Sequence, residues 1–232
     1  MNKTSKSKIL FIILPILAIA IHYFLSGILY YGFYSFFVNV LQVTEKKLLN
    51  FSNLTEILVN TVLTLFLFII YRLALKKESN RPESPLNLKI SAICLVAGIG
   101  TSIICHLWIT AIKNVPFFQE SLSAMDAANK SIESGSFFEL ILITVVIAPL
   151  IEEILFRGIV FGSMRHIFPV WVSILLSSAL FGIYHMNAAQ AVYAAFMGII
   201  AAIIYNKTNR LIYPILVHAA NNLIGAVLSF FL

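Results

Sequence analysis

The chain has 232 residues, of which 60% are hydrophobic by type and only 11% charged, with a mean hydropathy of +0.94. Soluble domains of this size carry about 25% charged residues, so a water-soluble globule, a disordered protein and a disulfide-rich secreted scaffold are excluded. The net charge of +6 sits in short basic clusters between apolar runs, with no basic face interleaved with aromatics, which argues for membrane orientation and against nucleic acid. This composition predicts an all-α fold, a polytopic transmembrane helical bundle of about seven spans.

Lys3, Lys6 and Lys8 precede a stretch from Ile9 to Thr44 that holds no charge. It is too long for a signal-peptide core, although Ala18-Ile19-Ala20 has the small residues of a cleavage site. An uncleaved first span near 9–36 is expected, tilted or broken near Gly27 and Gly32. Further apolar runs lie near 54–75, 90–112, 138–164, 169–187, 188–206 and 211–231. The polar stretch from Lys113 to Ser136 reads as an external, partly helical loop. Cys94 and Cys105 share the third run, roughly 16 Å apart along a helix, too far for a disulfide. A break is expected at Asn187.

Lysine and arginine positions orient the bundle. With the N-terminus inside, Lys3, Lys6, Lys8, Arg72, Lys76, Lys77, Arg81, Lys89, Arg157, Arg165, Lys207 and Arg210 fall on the inner side. Only Lys46, Lys47, Lys113 and Lys130 fall outside. This asymmetry predicts a multi-pass protein of the cell membrane with a cytoplasmic N-terminus and an external C-terminus.

Ionisable residues within apolar helices are costly and mark function. The densest group is Glu152-Glu153 with Arg157 in the fourth run. Glu153 and Arg157 are spaced i,i+4 in the favourable order for an ion pair, which leaves Glu152, about 100° away on the helix, to face a cavity. Pro149 removes one backbone hydrogen bond just above it and permits a kink. Phe181 lies one turn before His185, so its ring can restrict the imidazole. His218 and Asn222 share one helical face. His22 and His106 have no polar companions in sequence and read as core or interface residues. Gly158-x-x-x-Gly162, Ser178-x-x-x-Gly182 and the alanine-rich run 188–202 permit the close helix packing that would bring these groups together.

The ordered set E-E-x-x-x-R, F-x-x-x-H and H-x-x-x-N on successive apolar helices resembles the CAAX prenyl protease and bacteriocin-processing family (CPBP, or Abi), including its CAAX prenyl protease 2-like members. The resemblance covers 138–232 and implies a protease core built on four helices; the N-terminal region, 1–137, read from its apolar runs as three spans and an outer loop, shows no specific resemblance. The resemblance implies an intramembrane endopeptidase acting on a membrane-associated or lipidated peptide or protein within the lipid bilayer. In that reading Glu152 with His185 activates a water, His218 and Asn222 stabilise the oxyanion, and Glu153 with Arg157 supports them.

Members of the family are labelled metalloproteases, and zinc held by Glu152, His185 and His218 is the alternative to a metal-free site. The metal-free reading is preferred, because the sequence has no H-E-x-x-H and Asn222 is a better hydrogen-bond donor than zinc ligand. The alternative function is a non-catalytic bacteriocin self-immunity or regulatory membrane protein on the same scaffold.

Overall fold

The computed structural model describes residues 3–43, 52–76, 81–133 and 136–231, and among these every regular element is helical. Helix α1 (Lys3–Ser35) continues as a wide π turn, Phe36–Val40. Helix α2 (Ser52–Ile70) continues likewise through Tyr71–Lys76. Then come α3 (Leu88–Ile112), a 3-10 turn at Pro116–Phe118, and α4 (Gln119–Glu133). Helix α5 covers 137–164 and alternates α segments with π stretches at Leu142–Ile147 and Ile154–Phe161. Helices α6 (Val170–Tyr184), α7 (Ala188–Thr208) and α8 (Ile212–Phe231) complete the bundle.

The seven apolar runs thus become seven helices, and the polar loop carries α4. Ile9–Val40, Asn53–Leu75, Leu88–Ile112 and Ala188–Thr208 are long and apolar enough to cross a bilayer, and Val170–Tyr184 and Ile212–Leu228 are shorter apolar helices. Ile16, Phe24, Ile28 and Tyr31 of α1, with Leu65 and Leu73 of α2, point outward, as expected where lipid replaces water. Multi-pass membrane architecture follows.

Helix α5 is the axis. All eight residues of its second π stretch, Ile154–Phe161, are buried, because a helix apolar on every side needs neighbours all round. Those neighbours are α1 (Phe11, Ala18), α2 (Leu63, Leu67, Tyr71), α6 (Phe181) and α7 (Ala194, Met197, Ala201), all in one buried cluster with Leu155, Phe156 and Ile159. Helix α8 packs instead on α3 through Cys94, Tyr213 and Val217. Their backbones meet at Gly98, where an added Cβ would lie 2.3 Å from the Val217 carbonyl oxygen.

Three expectations need correction. Helix α1 runs unbroken through Gly27 and Gly32 and changes register only at Phe36. Arg157, counted with the basic residues of the inner side, lies inside the bundle with its side chain 2% exposed, so eleven rather than twelve basic residues speak for that orientation. Lys77 of the inner set and Lys46 and Lys47 of the outer set lie outside the described residues. His22, expected to lack polar company, hydrogen-bonds through Nδ1 to the Tyr184 hydroxyl at 2.5 Å, a contact across 162 positions.

Both ends of the bundle are tied. At one end the segment leading into α3 is stapled to the α7–α8 turn. Arg81 donates to the Asn206 side chain and carbonyl, Ser84 N donates to the Thr208 carbonyl, and Arg210 pairs with Glu83 at 3.1 Å. At the other end α6 stops at Tyr184. Met186 turns the chain with a φ of 51°, and Asn187 caps α7 by accepting from Gln190 N at 3.0 Å. The Asn187 amide also donates to the Ser121 carbonyl, which holds α4 over this turn.

Candidate active site

The polar residues of α5, α6 and α8 meet inside the bundle. Glu153 is fully buried and serves two partners: its Oε2 lies 3.0 Å from Arg157 Nε, and its Oε1 lies 2.9 Å from His218 Nδ1. The carboxylate therefore links a salt bridge within α5 to a histidine on α8. An ionised carboxylate only accepts, so His218 donates from Nδ1, and its Nε2 is directed at Glu152 Oε2, 3.7 Å away. The Arg157 guanidinium carbon stands 4.5 Å over the Phe181 ring, a cation–π contact sheltered from solvent.

Phe181 is the hub. Its ring packs edge-on against His185 (5.0 Å between centroids), His218 (5.8 Å) and Phe156 (5.0 Å). Next to it, Gly182 lets α7 approach α6 so closely that a Cβ there would lie 2.3 Å from the Ala191 carbonyl oxygen. His185 sits at the last turn of α6, where its Nδ1 is 3.2 Å from Gln190 Nε2. The amide nitrogen can only donate, so Nδ1 accepts and the ring proton resides on Nε2.

Asn222, one turn beyond His218, donates from Nδ2 to the Thr144 carbonyl at 2.8 Å and accepts from Asn221 at 3.0 Å. Thr144 lies in the π stretch Leu142–Ile147 of α5, just before Pro149. These two bonds fix the amide plane and leave one N–H of Asn222 uncommitted.

Burial grades across the group. Glu153, Arg157 and His218 are buried, whereas Glu152, His185 and Asn222 are partly open. The closed part holds geometry and the open part can reach a substrate. Glu152, His185, His218, Asn222, Glu153 and Arg157 therefore occupy one region, with Glu152 beside His218. The bond from Glu153 to His218, the support of His185 by Gln190 and the anchoring of Asn222 by Thr144 were not legible in the motifs. Among the described residues no group of three His, Cys, Asp or Glu side chains lies close enough to hold a metal ion.

Residues 134–224 match the model of a family described as type II CAAX prenyl endopeptidase Rce1-like. The chain is also similar to the candidate membrane peptidase YdiL of Bacillus subtilis (strain 168), with 32% identity over 83 residues, 36% of this chain and 34% of that protein. It is similar to the UPF0177 protein YxdF of Lactococcus lactis subsp. lactis (strain IL1403), with 35% identity over 81 residues, 34% of this chain and 44% of that protein. The aligned part spans less than half the length of either relative. No solved structure matches the chain. The family resemblance read from the three motifs holds for the segment that carries them.

Proposed function

We propose that the chain is an intramembrane endopeptidase that hydrolyses a membrane-associated or lipidated peptide. One observation supports this most: a partly open carboxylate, Glu152, stands 3.7 Å from a histidine whose other nitrogen is held by the buried Glu153. Rigid support behind a reachable acid is what proton transfer requires.

In this reading Glu152 takes a proton from a water whose oxygen accepts a hydrogen bond from His185 Nε2–H. The oxygen adds to the peptide carbonyl carbon, and the carbonyl oxygen becomes an oxyanion. The free N–H of Asn222 and, as imidazolium, His218 through Nε2 donate to it. Collapse breaks the C–N bond, and the proton returns from Glu152 to the leaving amine. Glu153 orients His218, and Arg157 balances the charge of Glu153. No metal takes part. The N-terminus is cytoplasmic, as the charge distribution favours.

Purified protein dialysed against a strong chelator, with metal content measured alongside, should cleave a farnesylated CAAX-type peptide as fast as untreated protein. Loss of cleavage that stoichiometric zinc restores would overturn the metal-free mechanism. A resistance phenotype that persists in Glu152→Gln cells would favour the immunity role instead.

A further inference from the structure

Helices α1 and α2, outside the segment that matches the family, enclose an open cleft of about 320 Å³ between His22, Ser26, Gly27, Tyr30, Glu56, Val59 and Asn60. Most of α1 and α2 presents apolar side chains to lipid, so this concentration of polar groups is out of place. His22 is 7% exposed, and its Nε2 has no hydrogen-bond partner among the described residues. The bond between Nδ1 and the Tyr184 hydroxyl can run either way, so Nε2 needs an acceptor or a donor according to the tautomer. Glu56 supplies an acceptor on the opposite helix, and Asn60, one turn on, supplies both donor and acceptor.

A lipid acyl chain satisfies none of these groups, and facing one would be costly. The space is about ten times that of one water in the liquid, too large for a single ion or water. No lysine or arginine lines it, so it is not built for a phosphate. An extended peptide backbone offers N–H and C=O groups in alternation and matches the donor and acceptors present. The cleft also lies two ring contacts from the candidate active site. His22 and Tyr184 have ring centroids 5.7 Å apart, and Tyr184 and His185 have centroids 6.1 Å apart. An extended chain advances about 3.3 Å per residue, so three or four residues bridge the two places.

We infer that the α1–α2 cleft is a docking site for the peptide substrate, gripping its backbone amides through His22, Glu56 and Asn60 a few residues from the bond to be cut. This rests on the endopeptidase reading. Tyr184 acts as a positioning residue that sets the cleft relative to His185.

The test uses the full-length protein in lipid nanodiscs, carrying Glu152→Gln so that binding is read without turnover. The probe is a fluorescein-labelled, farnesylated peptide ending in a CAAX sequence. Its partner has N-methylated backbone at the four residues before the cysteine. Glu56→Gln and Asn60→Leu should each weaken binding of the unmodified probe about tenfold, the scale of one hydrogen bond to a charged or buried group. Glu120→Gln, on exposed α4, should leave Kd unchanged. The N-methylated probe should bind about tenfold more weakly and lose little more on Glu56→Gln. Equal Kd across the variants, fully additive losses, or no binding of the unmodified probe would overturn the inference. Turnover, measured in protein with Glu152 intact and in the variant, reports separately on the catalytic reading. Glu152-dependent turnover with a flat Kd pattern sinks the cleft alone, and turnover that ignores Glu152 sinks the catalytic reading while a graded Kd pattern stands.

Discussion

His218 and His185 are held by different means, and the difference sets what each can do. His218 is gripped by Glu153, itself neutralised by Arg157, so three buried groups share one geometry. Removing one partner of such a buried pair costs about 3–5 kcal/mol, because the other is left charged and unpaired. His185 is held by a single neutral amide, Gln190, at 3.2 Å. That bond selects the tautomer with its proton on Nε2. Gln190→Leu should lower kcat about tenfold or more with KM nearly unchanged and the thermal midpoint within a few degrees of wild type, since tautomer selection affects the reaction more than binding. A rise in KM alone would show that Gln190 contacts substrate instead.

At the scale of elements, everything rests on how closely α6 and α7 approach. The Ser178-x-x-x-Gly182 spacing is a close-packing device, and a Cβ at Gly182 would overlap the Ala191 carbonyl. Gly182→Ala should destabilise the protein by about 1–3 kcal/mol, the usual cost of overpacking, whereas Gly225→Ala, with nothing within 4 Å, should not. Thermal unfolding in detergent compares the two, and equal midpoints would contradict the packing described. This scale also separates what was legible in the sequence from what was not. Glu152, Glu153 and Arg157 stood out because charge in an apolar helix is costly wherever the helix lies. The i,i+4 rule then assigned Glu153 to Arg157, as observed, but it is blind to His218, 65 positions away. Gln190 was hidden because its contact with His185 crosses a turn, where no periodicity applies. The His22–Tyr184 bond joins helices with no shared motif, so a histidine without polar neighbours in sequence looked inert. The full burial of Arg157, counted with the basic residues of the inner side, depends on α5 being wrapped on all sides, which only tertiary packing reveals.

For the whole molecule, the helices form a bundle around α5, with the polar cluster toward the end closed by α4 and the α6–α7 turn. The basic residues that staple the opposite end, Arg81 and Arg210, belong to the side the charge distribution assigns to the cytoplasm. Reporter tags after Lys207 should therefore read as cytoplasmic and one near Ala127 as external. The reverse pattern would invert the bundle, and a shared side would break the alternation of spans.

The central claim is that Glu152 is the proton acceptor for peptide hydrolysis. Its most direct test is the rate at which purified, lipid-reconstituted wild type and Glu152→Gln release a new N-terminus from the same farnesylated peptide, followed by mass spectrometry. The glutamine keeps the shape and removes the base, so the rate should fall by about 10²–10⁴ with the melting temperature unchanged. Equal rates for the two proteins would contradict the account.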